Sequence, residues 1–266
     1  MNGWQDNMSN DAHHSGAYLT STALKAALKS PAQYQLHVAG KTADKPAFSF
    51  GRAAHCRILE PSCFSDRFAV APKIDRRTKS GKAEYADWVE ANGDKEAISA
   101  VDADAIEGMA ESVLNNNDAR RWLIPCDDYR VEQSGIVDDG TGLLKACRPD
   151  LRVDRDYIVD LKTCASADSD YMTRALVNFG YALSAAWYVD LARAIDGGEY
   201  RFIWVMVEKT PPYNVACYEA SPEVLAYGRH KYEHALEVIR KCRDENEWPA
   251  RYHVGTPFVK LARWAQ

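Results

Sequence analysis

The sequence Arg-Pro-Asp-Leu-Arg-Val-Asp-Arg-Asp-Tyr-Ile-Val-Asp-Leu-Lys-Thr, residues 148–163, decides the fold that we expect for this chain. Read as a β-strand, residues 157–163 place Asp160 and Lys162 on one face together with Ile158, about 6.6 Å apart along the strand. The other face is apolar or aromatic. Charged side chains inside such an apolar strand need a compensating interaction or a function.

Asp150 precedes Asp160 by ten residues and directly follows a proline. A turn or a preceding strand can therefore bring the two carboxylates together. Two carboxylates beside the ammonium of Lys162 form a site for a hard divalent cation. An ordinary charged pair on an exposed edge strand is the alternative interpretation of Asp160 and Lys162.

The composition is that of a globular protein with enough apolar material for a core. The chain has 266 residues, of which 46% are hydrophobic, and this length favours one large domain or at most two. The 33 basic and 38 acidic residues give a net charge of −5, which argues against a general nucleic-acid coat but allows a local basic cleft. We expect no membrane span and no secretory signal, because no window approaches eighteen apolar residues and the first fourteen are polar.

The cysteines point to a reducing compartment. They are seven in number and form no C-x-x-C pair, which predicts free thiols in the cytoplasm. Zinc or an iron–sulfur cluster is disfavoured by their spacing, although Cys56 beside His55 keeps that interpretation open.

Hydrophobic periodicity predicts helices, then strands, then a helix–strand–strand–helix order. The expected helices cover 23–29, 31–38, 52–59, 83–91, 101–115, 168–196 (broken near Phe179 and Gly180) and 221–245, and the expected strands cover 68–71, 129–137, 143–147, 157–163, 201–208 and 214–219. The three consecutive strands from 129 to 163 suggest an antiparallel meander. The fold class is α/β (α+β), with a central mixed sheet flanked by helices. The expected organisation is a polar lead-in at 1–18, one domain at 19–250 and an irregular tail at 251–266.

Two further segments are candidates for function. His55 lies beside an apolar helical stripe, so packing residue and ligand are both open interpretations. Residues 73–82 carry five cations and one anion, a run that is either a solvated loop or a grip on phosphates. The DNA-binding candidates there are Arg76, Arg77, Lys79 and Lys82.

Four motifs occur together in this chain. They are G-x-A-x-H (Gly51, Ala53, His55), R-P-D (148–150), V-D-L-K-T (159–163) and G-Y-x-x-x-A-A-x-Y (180–188). Together they resemble the PD-(D/E)XK nucleases, and within them the exonuclease VIII (RecE-type) catalytic domain encoded by phages and prophages. The resemblance covers roughly residues 17–250, and it implies a restriction-endonuclease-like core.

The resemblance implies a magnesium site, in which manganese would substitute. Its ligands would be the carboxylates of Asp150 and Asp160, the backbone carbonyl of Leu161 and a ring nitrogen of His55. Lys162 would orient or deprotonate the attacking water, and a nearby metal ion would depress its pKa. Glu132 is either an accessory acid in the same cleft or a solvated strand residue.

One position departs from the family pattern. The family usually has Gln-x-x-x-Tyr on the helix after the active strand, and here Ser184 replaces the glutamine while Tyr188 is kept. The two residues are one helical turn apart and would face the same cleft. Ser184 would reach a DNA phosphate through a water molecule or not at all.

The function that the resemblance implies is a magnesium-dependent exonuclease that degrades linear double-stranded DNA from its ends in the 5′→3′ direction. Its partner would be a RecT-like single-strand annealing protein, and it would form a trimeric or tetrameric ring in the cytoplasm of a bacterial host. One alternative is a catalytically weak or silent DNA-end-binding or inhibitory module, suggested by Ser184 and the acidic net charge. Another is a Cas4-like nuclease with an iron–sulfur cluster, suggested by Cys56 but weakened because the C-terminal part offers only Cys217 and Cys242.

Overall fold

A computed structural model describes residues 2–6, 8–9, 12–13, 18–41, 46–124, 129–250 and 258. The predicted tail at 251–266 therefore lies outside the described residues except for Phe258. Cys126 also lies outside them, and the other cysteines are free thiols. Within the described part of the chain, no helix is long and apolar enough to cross a membrane.

The helices are α1 (Ser21–Lys29), α2 (Pro31–Val38), α3 (Pro46–Leu59), a 3₁₀ turn η1 (Pro61–Cys63), α4 (Phe64–Arg67), α5 (Lys79–Asn92), α6 (Ala100–Asn115), α7 (Asn117–Leu123), α8 (Ser169–Asn178), α9 (Tyr181–Asp196) and α10 (Pro222–Glu245). Side-chain caps begin several of them, because Thr20 accepts from the Ala23 N–H and Ser221 accepts from the Val224 N–H. Gly180, in the left-handed conformation with φ 64°, separates α8 from α9 at the predicted break.

The strands are β1 (Gly3–Gln5), β2 (Phe68–Val70), β3 (Glu96–Ile98), β4 (Tyr129–Val131), β5 (Ser134–Asp138), β6 (Leu144–Cys147), β7 (Leu151–Val153), β8 (Tyr157–Cys164), β9 (Arg201–Glu208) and β10 (Val215–Glu219). The central sheet has the order β10-β9-β8-β7-β4. Its β8 and β9 are parallel and are joined through α8 and α9, whereas its other neighbours pair antiparallel. This mixed sheet confirms the predicted architecture.

The two faces of β8 enter different parts of the core, as the alternation predicted. Val159 and Leu161 pack in a cluster with residues of α3 and α6, and Ile158 packs in another with residues of α8 and α9. All three side chains are fully buried. Asp160 shares the α9 side with Ile158, and it is therefore a carboxylate in an otherwise apolar layer.

The antiparallel meander predicted for residues 129–163 is confirmed in its first hairpin, where β5 and β6 pair antiparallel, but its continuation to the strand at 157–163 is wrong. Residues 129–137 form two strands rather than one, because Glu132 adopts a left-handed φ of 47° that ends the first ladder. The chain then changes sheets: β4 belongs to the central sheet, while β5 and β6 belong to a three-stranded sheet of order β1-β5-β6. β7, which the periodicity did not predict, returns the chain to the central sheet beside β8.

Two further regions differ from the sequence-based expectation. Residues 3–5 of the predicted lead-in form β1, which pairs with β5 in the register Gly3↔Ile136. The basic segment is not wholly a loop, because α5 begins at Lys79 rather than at residue 83. Thr78 caps α5 by accepting from the Gly81 N–H, which is the signal that the periodicity missed.

Candidate active site

The site lies at the edge of β8, where its pairing with β7 ends. The ladder runs from Val153↔Tyr157 to Leu151↔Val159. Beyond it, the Leu161 N–H donates to Asp150 Oδ2 at 2.6 Å. The Asp150 carboxylate therefore replaces the missing strand at this edge and is fixed beside Asp160 by the backbone itself. The short turn from β6 into β7, which contains Pro149, brings it there.

Asp160 and Lys162 form an ion pair on the α9 side of β8. Asp160 is 6% exposed, and its Oδ2 lies 2.5 Å from Lys162 Nζ. Burial raises the pKa of Asp160, and the negative charge of Asp150 raises it further, against the lowering by Lys162. Burial alone would lower the pKa of Lys162, but Asp160 and Asp150 outweigh it and hold that pKa above its ordinary value. With these partners alone, Lys162 is an ammonium.

His55 reaches the same site from α3. Its Nδ1 lies 3.6 Å from Asp150 Oδ1, which is an ion-pair distance when the ring is protonated and longer than an ordinary hydrogen bond. Burial lowers the pKa of His55, but the Asp150 carboxylate more than offsets this and raises the pKa overall. The ligand interpretation of His55 is therefore compatible with its position beside Asp150, and it stays a prediction.

Glu132 lies beside Asp150 because of the break between β4 and β5. Its backbone N–H donates to the Asp150 carbonyl at 3.1 Å, and its own carbonyl accepts from Arg148 Nε at 2.7 Å. Burial and then the Asp150 charge raise the pKa of Glu132. The left-handed backbone at a non-glycine residue is strained, and such strain is often found at functional positions.

The donor set fits a hard divalent cation, although the side chains as placed do not form a finished metal site. Within the described residues, no three His, Cys, Asp or Glu side chains converge closely enough to hold a metal ion. Asp160 Oδ2 is nevertheless buried and accepts no hydrogen bond from a described residue, although it lies at ion-pair distance from Lys162 Nζ. Two neighbouring carboxylates, one buried and one half-buried, suit magnesium or manganese.

The helix behind the site carries the two predicted residues of the motif after the active strand. Ser184 and Tyr188 lie on α9, and Ser184 is buried. Burial and then the charges of Asp160 and Asp150 raise the pKa of Tyr188, and its ring packs on Phe202 of β9 with 6.3 Å between centroids. Tyr181, one turn before Ser184, was not predicted as a site residue, and its ring centroid lies 5.5 Å from Lys162 Nζ.

Lys25 is a second residue near the site that the sequence did not predict. It lies on α1, and burial followed by the charge of Lys162 lowers its pKa to about 8, while Asp160 opposes this. Its side chain crosses Gly180, where a Cβ would lie 3.1 Å from Lys25 Cε. The helical pattern of α1 marks its buried face but carries no information about this contact with Gly180, which lies far along the chain.

The four predicted DNA-binding cations lie together on an exposed segment. They are Arg76, Arg77, Lys79 and Lys82, and all are exposed. Arg77 Nε pairs with Asp75 Oδ1 at 3.0 Å, and the Arg76 guanidinium lies 4.5 Å from the Tyr85 ring centroid. These contacts are local to the segment, so its position relative to DNA stays a prediction.

Residues 20–254 match the model of a family described as a PDDEXK-like domain of unknown function (DUF3799), and the chain belongs to this family. The resemblance to PD-(D/E)XK proteins and the predicted fold class are thereby confirmed. No curated protein matches the chain.

Solved structures with a similar fold are known. The crystal structure of a protein from Eubacterium rectale named "Putative exonuclease" is 12% identical, with a TM-score of 0.65, and the match covers 97% of this chain and 96% of that one. An alkaline exonuclease from Laribacter hongkongensis is 15% identical over 70% of this chain and 96% of its own, with a TM-score of 0.28. At this identity, the first similarity shows a shared fold.

Proposed function

We propose that this chain is a magnesium-dependent DNA exonuclease that degrades linear double-stranded DNA from its ends in the 5′→3′ direction. One observation carries the proposal. In a PDDEXK-like fold, Asp150, Asp160, Lys162 and His55 meet at the open edge of a buried strand. Placing two carboxylates in a largely apolar layer is costly, and it is explained if they bind a cation for catalysis.

Hydrolysis of a phosphodiester requires a positioned water molecule and compensation of the charge that develops on the phosphorus oxygens and the leaving oxygen. Magnesium, when bound, supplies a Lewis acid for both tasks. The residues that would hold it are Asp150, Asp160, His55 and, through its carbonyl, Leu161; manganese would substitute because it prefers the same oxygen donors.

The chain's own groups have separate tasks in this proposal. The Leu161 N–H holds the Asp150 carboxylate in one orientation. Lys162 keeps its proton in the presence of Asp160, and its ammonium would orient the water and offset charge on the phosphate. A cation bound at Asp160 would lower the pKa of Lys162, which would then be able to deprotonate the water. Glu132 and Tyr188 both interact electrostatically with the carboxylates. Glu132 would accept a proton, and the Tyr188 hydroxyl would donate a hydrogen bond.

The biological setting is proposed from the RecE-type motifs. The product strand would be single-stranded DNA for phage-type recombination, handed to a RecT-like annealing protein in the cytoplasm of a bacterial host. The enzyme would act as a trimeric or tetrameric ring, with Arg76, Arg77, Lys79 and Lys82 on the duplex and Ser184 close to a phosphate.

The test is digestion of linear duplexes labelled at either the 5′ or the 3′ end, with a circular duplex as control, in magnesium and in EDTA. We expect mononucleotide release that requires magnesium, begins at the 5′ label and spares the circle. Cleavage of the circle would mean an endonuclease, and early loss of the 3′ label would reverse the direction.

A second candidate is a module that binds DNA ends without turnover. It is favoured by the short Ser184 in place of an amide and by the ion pair that occupies Asp160. A shift of labelled linear duplex without any degradation, in either magnesium or manganese, would support this function over the nuclease.

A further inference from the structure

A cleft opens beside the candidate active site, between α1, the junction of α8 and α9, and α10. Its volume is about 370 Å³, within the range of pockets that hold small ligands. Lys25, Lys29 and Lys231 line it together with the aromatic rings of Phe179 and Tyr227. In a chain of net charge −5, three lysines around one cleft form a local concentration of positive charge.

The cleft adjoins the Asp160–Lys162 pair, because the Tyr181 ring centroid lies 5.5 Å from Lys162 Nζ and 5.7 Å from the ring centroid of Phe179, which lines the cleft. The Lys25 side chain passes over Gly180, whose lack of a Cβ leaves room for it. Its ammonium interacts electrostatically with both Lys162 and Asp160. A chain of phosphates that enters the active site would therefore extend into this cleft.

The two aromatic rings are partly exposed in the cleft; Lys231 Nζ lies 5.8 Å from the Tyr227 ring centroid, and the Phe179 ring packs on Tyr181 with 5.7 Å between centroids. Phe179 is 52% exposed and Tyr227 is 39% exposed, although both are large apolar side chains. Within the described residues, neither Lys29 nor Lys231 forms an ion pair with a carboxylate, in contrast to Lys241 on the same helix α10, which pairs with Glu245 at 3.9 Å. Exposed rings beside unpaired ammonium groups have the chemistry that binds bases by stacking and phosphates by charge.

We propose that this cleft holds one unpaired nucleotide of a DNA strand, next to the phosphate that lies at Asp160 and Lys162. This inference rests on the proposed function for the identity of the strand. Its base stacks on Tyr227 or Phe179, its phosphates contact Lys29 and Lys231, and Lys25 joins the cleft to the reacting phosphate. The site thus selects a strand end that has already left the duplex.

The experiment measures binding without hydrolysis. Fluorescein-labelled dT10 is titrated with the full chain in EDTA, over a series of salt concentrations, by fluorescence anisotropy. The double variant Lys29→Gln with Lys231→Gln should reduce the salt slope of log K by about 1.4, because each phosphate contact on a single strand contributes about 0.7. Tyr227→Ala should weaken binding about 5- to 100-fold, as expected for one lost stacked base.

Matched controls separate this cleft from the general surface. Lys241→Gln removes a lysine from the same helix, and Tyr129→Ala removes a similarly exposed tyrosine (45%) from β4. Neither should change the affinity for dT10. If the cleft variants also bind as the parent chain does, or if inorganic phosphate displaces dT10 as well as dTMP does, the nucleotide site is wrong.

The outcome is distinguishable from failure of the nuclease proposal. A chain that releases no nucleotides in magnesium but loses dT10 binding through the cleft variants refutes the nuclease and supports the cleft. If the chain degrades linear duplex but the cleft variants have the same dT10 affinity and salt slope as the parent chain, the nuclease proposal is supported and the nucleotide site in the cleft is refuted. Unchanged thermal unfolding of Tyr227→Ala confirms that the exposed ring is not required for folding.

Discussion

Two charged regions of this molecule, the edge of β8 and the basic segment at 73–82, are equally conspicuous in the sequence but differ in structure. At β8, Asp160 is buried among apolar residues and pairs with the half-buried Lys162, while the neighbouring Asp150 is held by the Leu161 N–H and by His55 of α3. In the basic segment, Arg77 is 92% exposed and its partner Asp75 is two residues away.

The difference lies in how much each arrangement costs. An exposed ion pair such as Arg77–Asp75 contributes little and is screened by salt, so it would form in almost any loop with that sequence. Removing Asp160 and Lys162 from water costs free energy, and the attraction between their charges offsets this cost only in part. A costly arrangement is maintained only where surrounding structure enforces it, which makes the β8 edge the stronger candidate for chemistry.

The largest effect is expected at Lys162. Lys162→Ala should lower kcat/KM for linear duplex by about 10²- to 10⁴-fold, because the group that orients the water and offsets charge is lost. Release of acid-soluble nucleotides measures it. Lys162→Arg keeps the charge and separates the two roles, and Lys241→Ala on α10 is the exposed control. If Lys162→Ala kept full activity, the β8 edge would be no better a candidate for chemistry than the basic segment.

A smaller loss is expected at Glu132. Glu132→Gln keeps the shape but removes the charge beside Asp150, and should lower activity or magnesium affinity about 10- to 100-fold. Magnesium titration of the rate measures it. Glu132→Gly should instead relieve the left-handed backbone and raise stability by about 1 kcal/mol, while losing activity like the glutamine variant. If Glu132→Gln kept full activity and magnesium affinity, Glu132 would be a solvated strand residue without a role in the site.

The close packing of α10 against α9, behind the β8 edge, should not tolerate a larger side chain. A Cβ on Gly228 of α10 would lie 2.0 Å from the Ala182 carbonyl oxygen of α9. Gly228→Ala should therefore destabilise the chain by about 1–3 kcal/mol in urea unfolding and lower activity, because α9 carries Ser184 and Tyr188. Gly51→Ala, with open space around its Cβ on α3, should stabilise by about 0.5–1 kcal/mol. Equal stability of the two variants would contradict this account.

The smallest effect is expected in the basic segment. Arg76→Gln combined with Arg77→Gln should leave the rate at saturating duplex unchanged, weaken duplex binding severalfold and reduce its salt slope by about 1.8, twice the contribution of one phosphate contact. Arg120→Gln with Arg121→Gln is the matched control, since Arg121 also packs over a ring, that of Trp122, at 4.9 Å. An unchanged slope would leave the segment as a solvated surface.

Local patterns predicted most elements because their causes are local. The caps at Thr20 and Ser221, the glycine break at Gly180 and the apolar run of β9 depend on neighbours within a few residues. The meander at 129–163 failed for the opposite reason. Nothing in the local alternation reveals that Glu132 turns left-handed, or that β5 and β6 form a separate sheet with β1, in which β5 is the central strand, instead of pairing on to β8.

The candidate site divides in the same way. Asp160 and Lys162 share a face because strands alternate, so the sequence alone predicted their proximity. Asp150 was placed beside them by its position ten residues upstream, and the motif resemblance added the roles of His55 and Tyr188. Tyr181 belongs to the same motif, but no role was predicted for it. Lys25 was not predicted, because its position depends on how α1 packs and not on any spacing along the chain.

The sequence by itself determined the class of fold, the strand that carries the charged pair and the type of ion that its carboxylates would suit, since these follow from short-range periodicity and side-chain chemistry. Only the tertiary structure decided which residues surround that pair, because the contacts of His55 and Glu132 with Asp150 and of Lys25 with Gly180 join segments far apart in the chain. It also decided that the basic segment is exposed and the β8 edge is not, since burial is a property of packing.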